Sequence, residues 1–500
     1  MISADKGDRM SSTTVELPRT ALEGPASSPL FLRLGICAAA AVLLILPVGA
    51  FAAFPPAAVV WTTAGVLALL AVQTFNDSRK LGENPWLSPL SLMMVFYFVR
   101  YCMGAVIIYF WDELPWEEFP EHSEMFLLLD MKHNIPVGCQ LLLLGACGLY
   151  LGCGGPMPAI SKWLPALNWP IDQAKFKLNL TLYAPFGIFI FFVGALYLPL
   201  VIRDTVMLWG WVIWVLLVIG SYHFFSLQTQ DRLKWLNLLI LMTSALAVTG
   251  LLTGMRGNFL QPAFLILVGF VLARGYVPWR WLIPQIIIVI FLVLPWLTLY
   301  KFAASVEPLS IADRTAVAND RYKDMGLRGL AELGIASSFG RLAGPGGFIA
   351  VFTQYYPEMF PFEMGQSFLF ECEALIPRII WPDKPNLSMQ LDDYSRKVGI
   401  LPSESSREYG ITSAKFEGVS EYYVNFGAPG VFLLCMLHGY FVRIVYHWLV
   451  TRSHFEFGAP MFLVLFVMNL EFYGVVQLFL SATRQLLVWP MIFWVLSRKA

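Results

Sequence analysis

Apolar runs recur along almost the whole chain, near residues 31–54, 57–75, 88–110, 135–153, 178–201, 205–224, 236–253, 258–273, 282–302, 429–446, 458–477 and 484–497. Nearly all reach the length that carries a helix across a bilayer, and the last is short. The pattern predicts an all-α polytopic membrane protein of about twelve transmembrane helices. Two polar regions interrupt it, residues 1–30 and residues 303–427. A charged side chain at the centre of a bilayer costs at least about 2.5–3.5 kcal/mol, so these charge-bearing stretches belong outside the hydrocarbon. The expected organisation is a disordered cytosolic tail (1–30), spans one to nine (31–302), one large external loop containing short helices (303–427), and spans ten to twelve (428–500). Internal repeats and low-complexity segments are absent by eye.

Composition agrees with this class: 57% of residues are hydrophobic and 14% are charged. The 34 basic residues balance the 34 acidic ones, so no global field favours nucleic acid. The distribution of charge is more informative. Lys6, Arg9 and Arg19 lie in a polar tail rather than directly before an apolar run, unlike a secretory signal. With the N-terminus in the cytosol, Arg79/Lys80, Lys162/Lys175/Lys177, Arg232/Lys234, Arg274/Arg280, Arg443/Arg452 and Arg498/Lys499 all fall on the cytosolic side. Opposite short loops keep Lys132, Arg203, Arg256 and Arg484. By the positive-inside rule both termini are cytosolic, and the acidic segment 111–130 and the long polar stretch face outward. Cys372 is the one cysteine of the long stretch, which excludes a disulfide within it, and no Cys/His pattern implies a metal.

The long stretch divides into three parts. Residues 311–334 have helical character, with Arg314, Arg321 and Arg328 spaced every seven residues on one face. Guanidinium groups match phosphate or diphosphate; the alternative is a solvated helix laced with pairs such as Asp320–Lys323 and Asp324–Arg328. Gly344-Pro345-Gly346-Gly347 reads as a turn, or as a backbone nest for an anion, although the Lys and Ser/Thr of a phosphate loop are missing. Tyr355-Tyr356-Pro357-Glu358 offers aromatic faces to a sugar or to the interface. In the middle, three prolines between Pro377 and Pro385 forbid regular helix and display Arg378 and Lys384 around Trp381, either as a cationic clamp or as a rigid connector. In the last part Glu417, Glu421, Tyr422 and Asn425 approach the membrane surface. Leu391-Asp392-Asp393 lacks a third ligand for a metal.

The run PRIIWPDKP, then Tyr409-Gly410, Thr412 and EYYVNFGAPGV from Glu421, resembles the O-antigen polymerase (Wzy-type) family, as do Arg256-Gly257 between spans and a large late external loop. The likeness covers residues 250–445. It implies a metal-independent glycosyltransferase of the bacterial inner membrane, without cofactor. Such an enzyme polymerises glycan repeat units carried on polyprenyl diphosphate into O-antigen, capsule or exopolysaccharide, with a chain-length regulator as a further partner. Breaking a C1–O–phosphate bond needs cations on the leaving diphosphate and a base for the acceptor hydroxyl. The resemblance assigns the cationic role first to Arg256, Arg341 and Arg378, with Arg314, Arg321, Arg328 and Lys384 as further contacts. The base is Glu421 in preference to Glu417, while Trp381, Tyr422 and Asn425 bind glycan.

Residues 303–427 contain no histidine, which separates the chain from the O-antigen ligases expected to use one. A lipid-linked oligosaccharide flippase is the main rival, and it would keep its cations along a cavity inside the bundle. A docking subunit or sensor is a third reading. Arg100 and Glu471 fall within spans and face the bundle interior or lie nearer an interface; His438 and Asn469 read as intra-bundle hydrogen-bonding groups.

Overall fold

The computed structural model describes residues 30–80, 83–110, 131–155, 163–170, 173–199, 206, 209–226, 229–253, 256–306, 310–373, 376, 380–381, 383–384, 393–400, 418–467 and 474–497. Among them the regular secondary structure is entirely helical. In chain order the principal helices are α1 (Leu30–Ile45), α2 (Pro56–Lys80), α3 (Pro89–Tyr109), α4 (Met131–Gly154), α5 (Gln173–Leu196), α6 (Val212–Ser226), α7 (Thr229–Thr253) and α8 (Arg256–Arg274). They continue with α9 (Trp279–Lys301), α10 (Ile311–Asp324), α11 (Gly326–Tyr355), α12 (Gln366–Glu373), α13 (Gly418–Thr451), α14 (Phe455–Leu465) and α15 (Val475–Ser497).

Each of the twelve apolar segments contains a helix among the described residues. Eight of these helices are long and apolar enough to cross a membrane, while α1, α6, α8 and α14 contribute shorter apolar stretches. The protein is therefore membrane-embedded. Two boundaries differ from the sequence reading. The last apolar helix starts at Val475, nine residues before the expected 484, so Arg484 lies within α15 rather than in a loop. Arg100 sits in a π-helical turn (Phe98–Cys102) inside α3.

The central packing is between α4 and the long part of α13. Gly148 and Gly152, one turn apart on α4, meet the backbone of Phe432 and Met436, and Gly152 also faces Gly439. Small residues at this spacing let two backbones approach closely in an apolar solvent, where dispersion contacts replace the hydrophobic drive. Cys153 belongs to the same seam, with its thiol 3.5 Å from the Gly439 carbonyl oxygen.

Two helices from residues 303–427, α10 and α11, pack against helices of this bundle. Ser310 caps α10, its hydroxyl accepting from the Asp313 N–H at 3.2 Å, and the helix runs back along α9. There the Trp296 indole N–H donates to Asn319 Oδ1 at 2.8 Å, and Ala318 packs against Leu299 and Tyr300. Gly326, at φ +65°, ends this pass as only glycine readily can. The chain then enters α11, which packs against α3, α4 and α9. Its residues Ile349–Phe352 are essentially inaccessible to solvent. The helix continues straight through Gly344-Pro345-Gly346-Gly347, so the turn or nest expected there does not exist. Gly346 serves packing instead: a methyl group there would overlap the backbone of Tyr101 and Ala105 in α3.

Candidate functional site

The chemistry-bearing residues converge where α13 breaks. Gly427 adopts φ 65° and ψ −157°, and the helical segment 418–426 folds back against the segment that follows. Two contacts fix the reversal. The Tyr422 hydroxyl lies 3.2 Å from His438 Nδ1, sixteen positions away, and a Cβ on Gly430 would stand 2.7 Å from the Tyr422 carbonyl oxygen. A straight helix would separate residues 422 and 438 by about 24 Å. Breaking a helix exposes carbonyls at its C-terminal end, and here an earlier stretch of the chain satisfies them. The N–H groups of Glu363 and Met364 donate to the carbonyls of Val424 and Asn425 at 3.0 and 3.1 Å. Phe362 packs over the break, edge-on to Tyr423.

Inside this hairpin stands Glu421, only 1% exposed. One carboxylate oxygen, Oε1, accepts from the Ser367 hydroxyl at 2.7 Å. The other, Oε2, is buried without a hydrogen-bond donor among the described residues. It lies against the Cα of Gly474, where any Cβ would collide with it. Asn425 orients the group from one turn further on. Its amide nitrogen donates to Ser367 Oγ and to the Glu421 carbonyl, both at 2.8 Å, while its Oδ1 accepts from the Gly365 N–H at 2.8 Å. Glu421, Asn425 and Ser367 thus form one buried network spanning α12 and α13, and Glu371, also buried, lies on α12 one turn beyond Ser367.

Further hydroxyls surround the network. The Tyr423 hydroxyl donates to the Tyr356 carbonyl at 2.9 Å, and the Tyr356 hydroxyl donates to Glu363 Oε1 at 3.2 Å. Lys397 Nζ reaches the same carboxylate oxygen at 3.0 Å. Burial, reinforced by the carboxylates of Glu363 and Glu421, holds the Tyr394 phenol above its ordinary range, so it remains protonated. Beneath the short arm a small pocket is lined by Tyr97, Tyr101, Gly418, Tyr422, Cys435 and His438, among others.

The other sequence-derived candidates are distributed differently. Tyr422 and Asn425 join Glu421, but as buried bundle groups rather than exposed glycan contacts. The arginine stripe is interrupted. Arg314 and Arg321 share α10, whereas Arg328 lies beyond the break at Gly326 and pairs with Glu332 at 2.7 Å. Trp381 is exposed, and Lys384 Nζ donates to the Ile376 carbonyl at 2.7 Å, an arrangement that ties the proline-rich segment back on itself. Tyr356 is fully buried and presents no face to a ligand. Arg378, Glu417 and Glu471, and the side chains of Arg256 and Arg341, lie outside the described residues.

The comparison with known families bears on the whole of this architecture, because one family model spans residues 66–494, from α2 to the last turns of α15. The chain belongs to the DUF8712 family, a domain of unknown function. No curated protein and no solved structure matches it. The hairpin, the buried network and the α4–α13 seam all fall within the span that defines DUF8712.

Ser367 and Gly474 are the site residues that sequence reasoning missed. Neither carries a signal in its own neighbourhood, since a serine in an apolar stretch and a glycine before a span are both ordinary.

Proposed function

We propose that this protein is a membrane-embedded glycosyltransferase that polymerises polyprenyl-diphosphate-linked glycan units, with Glu421 as its base. The observation that carries the proposal is the Glu421 network: a carboxylate held by Ser367, with its second oxygen undonated against Gly474. A base needs one oxygen fixed for orientation and one left to take a proton. In the reaction, the acceptor hydroxyl loses its proton to Glu421 as its oxygen bonds to C1 of the donor sugar. The C1–O–phosphate bond breaks, and the diphosphate leaves with the bonding electrons. Arg378, Arg341 and Arg256 are assigned to the departing charge by the sequence resemblance.

The test is incubation of purified protein with lipid-linked repeat units, reading chain elongation. Glu421→Gln should abolish elongation with the fold retained, and Ser367→Ala should reduce it. Elongation at the wild-type rate in Glu421→Gln would overturn the assignment.

One observation favours the flippase reading as a second possibility. A buried carboxylate on a doubled-back half-helix, among helices that pack around it, is also how transporters build ion-coupled sites. Translocation of a lipid-linked glycan across proteoliposomes, lost in Glu421→Gln and with no new glycosidic bond formed, would establish that reading instead.

A further inference from the structure

The contacts of α10 and α11 with α9 fix how deep these two helices reach. α9 covers Trp279–Lys301, 23 residues long and apolar enough to cross a membrane, and Ile290 stands eleven residues from either end. That is about 16 Å of helix on each side, against about 15 Å for half of a hydrocarbon core. As α10 proceeds it descends along α9: the Trp296 indole meets Asn319 Oδ1 at 2.8 Å, and the Tyr322 hydroxyl lies 3.4 Å from the Leu292 carbonyl oxygen. The chain turns at Gly326 and rises again in α11. Gly334 fits against the π-helical turn Val289–Val293, where a methyl group would overlap the Ile290 carbonyl. Further along, the Ser337 hydroxyl lies 2.9 Å from that of Thr298.

The deepest part of this helix pair is charged. Asp320, Arg321, Lys323 and Asp324 at the end of α10 are exposed. Arg328 pairs with Glu332 at 2.7 Å, yet its side chain is 79% exposed. Glu332 precedes Gly334 by two positions, about 3 Å along the helix, so the ion pair sits at the depth of Ile290. Charges at such depth are expensive against lipid, and proteins place them in the bundle interior or along a water-filled cavity. The exposure of these five side chains leaves the cavity. A second copy docked there would strip water from all five at once, a cost that pairing seldom repays. On α9 itself Ile286, Ile287 and Ile288 are exposed near the same depth, and being apolar they suit lipid.

We propose that α10 and α11 form a re-entrant pair whose charged outer face lines a water-filled crevice, open at the Lys301 end of α9 and reaching the middle of the bilayer. The charges of this stretch then avoid hydrocarbon because water enters beside them, not because the chain stays outside the membrane. This feature is independent of the chemistry assigned to Glu421.

The test uses full-length protein in proteoliposomes, with a charged methanethiosulfonate reagent on both faces and mass spectrometry reading each added cysteine. Asp324→Cys and Arg328→Cys should be modified severalfold faster than Ile287→Cys, because only a hydrated thiol ionises to the reactive thiolate. In a separate double variant, Tyr322→Cys with Leu292→Cys, a short membrane-permeant cross-linker should join the two positions. Rates at 324 and 328 as slow as at 287 overturn the proposal. So do rates that rise only when detergent replaces the bilayer, which mark cover by lipid or by a second copy. Fast modification without the cross-link places the helix pair outside the membrane and overturns it equally. Asp324→Cys carries the test alone if Arg328→Cys, which loses its pairing with Glu332, does not fold; Trp296→Cys with Asn319→Cys replaces the cross-linking pair on the same ground.

Discussion

Replacing Gly427 with alanine tests the doubled-back hairpin most directly. At φ 65° and ψ −157° the backbone lies where L-residues are excluded, and holding a side chain there costs about 1–3 kcal/mol. The new Cβ would also stand 3.0 Å from Cζ of Phe362, a ring fixed by its edge contact with Tyr423, which adds about 1 kcal/mol of overpacking. Together these give a loss of about 2–4 kcal/mol.

The chain supplies its own control. Gly65 lies inside α2, where an added methyl would meet nothing within 4 Å, and there alanine should stabilise the helix by about 0.5–1 kcal/mol. Unfolding both variants in mixed micelles of increasing sodium dodecyl sulfate, followed by tryptophan fluorescence, measures the difference. Cysteines placed at Tyr422 and His438 in a cysteine-free background should cross-link with a short reagent in the parent, and much less in the Gly427→Ala protein. Equal stability of Gly427→Ala and Gly65→Ala, or a parent in which 422 and 438 never cross-link, would refute the hairpin.

Three further outcomes follow from packing and charge. Gly474→Ala should displace the Glu421 carboxylate at small cost in unfolding temperature, since a side-chain end can rotate, while abolishing chain elongation if Glu421 is the base. Gly152→Leu should separate α4 from α13 and lower stability by at least about 1–3 kcal/mol, because Met436 and Gly439 present backbone that cannot yield; detergent unfolding reads it. Lys397→Met removes a half-exposed partner of Glu363, and the same unfolding assay should register a loss below about 1 kcal/mol, because Tyr356 still donates to that carboxylate.

Where apolar length carried the information, the fold was legible in the chain. Eight of the twelve runs give helices long and apolar enough to cross a membrane, and the other four give shorter helices among the described residues. Residues 326–355 were harder to place. Glycine, alanine and serine give that stretch little hydropathy, and its glycines look like turn signals, yet their use is close helix contact, a property of partners that sequence does not display. Glu421 entered as a candidate through the EYYVNFGAPGV run that resembles the polymerase family, close to the start of a span. Its orientation by Ser367, 54 positions away, was not legible, since only the return of chain over the broken helix brings the two together. The stripe of three arginines failed as a pattern at Gly326, whose positive φ resets the helical phase between Arg321 and Arg328.

The position of α11 also sets an order of assembly. A helix of this composition, with Gly334 and Gly346 fitted against the backbones of α9 and α3, gains little by entering lipid on its own. The walls that α3, α4 and α9 offer it all lie earlier in the chain, so that part of the cleft is synthesised before the helix that fills it.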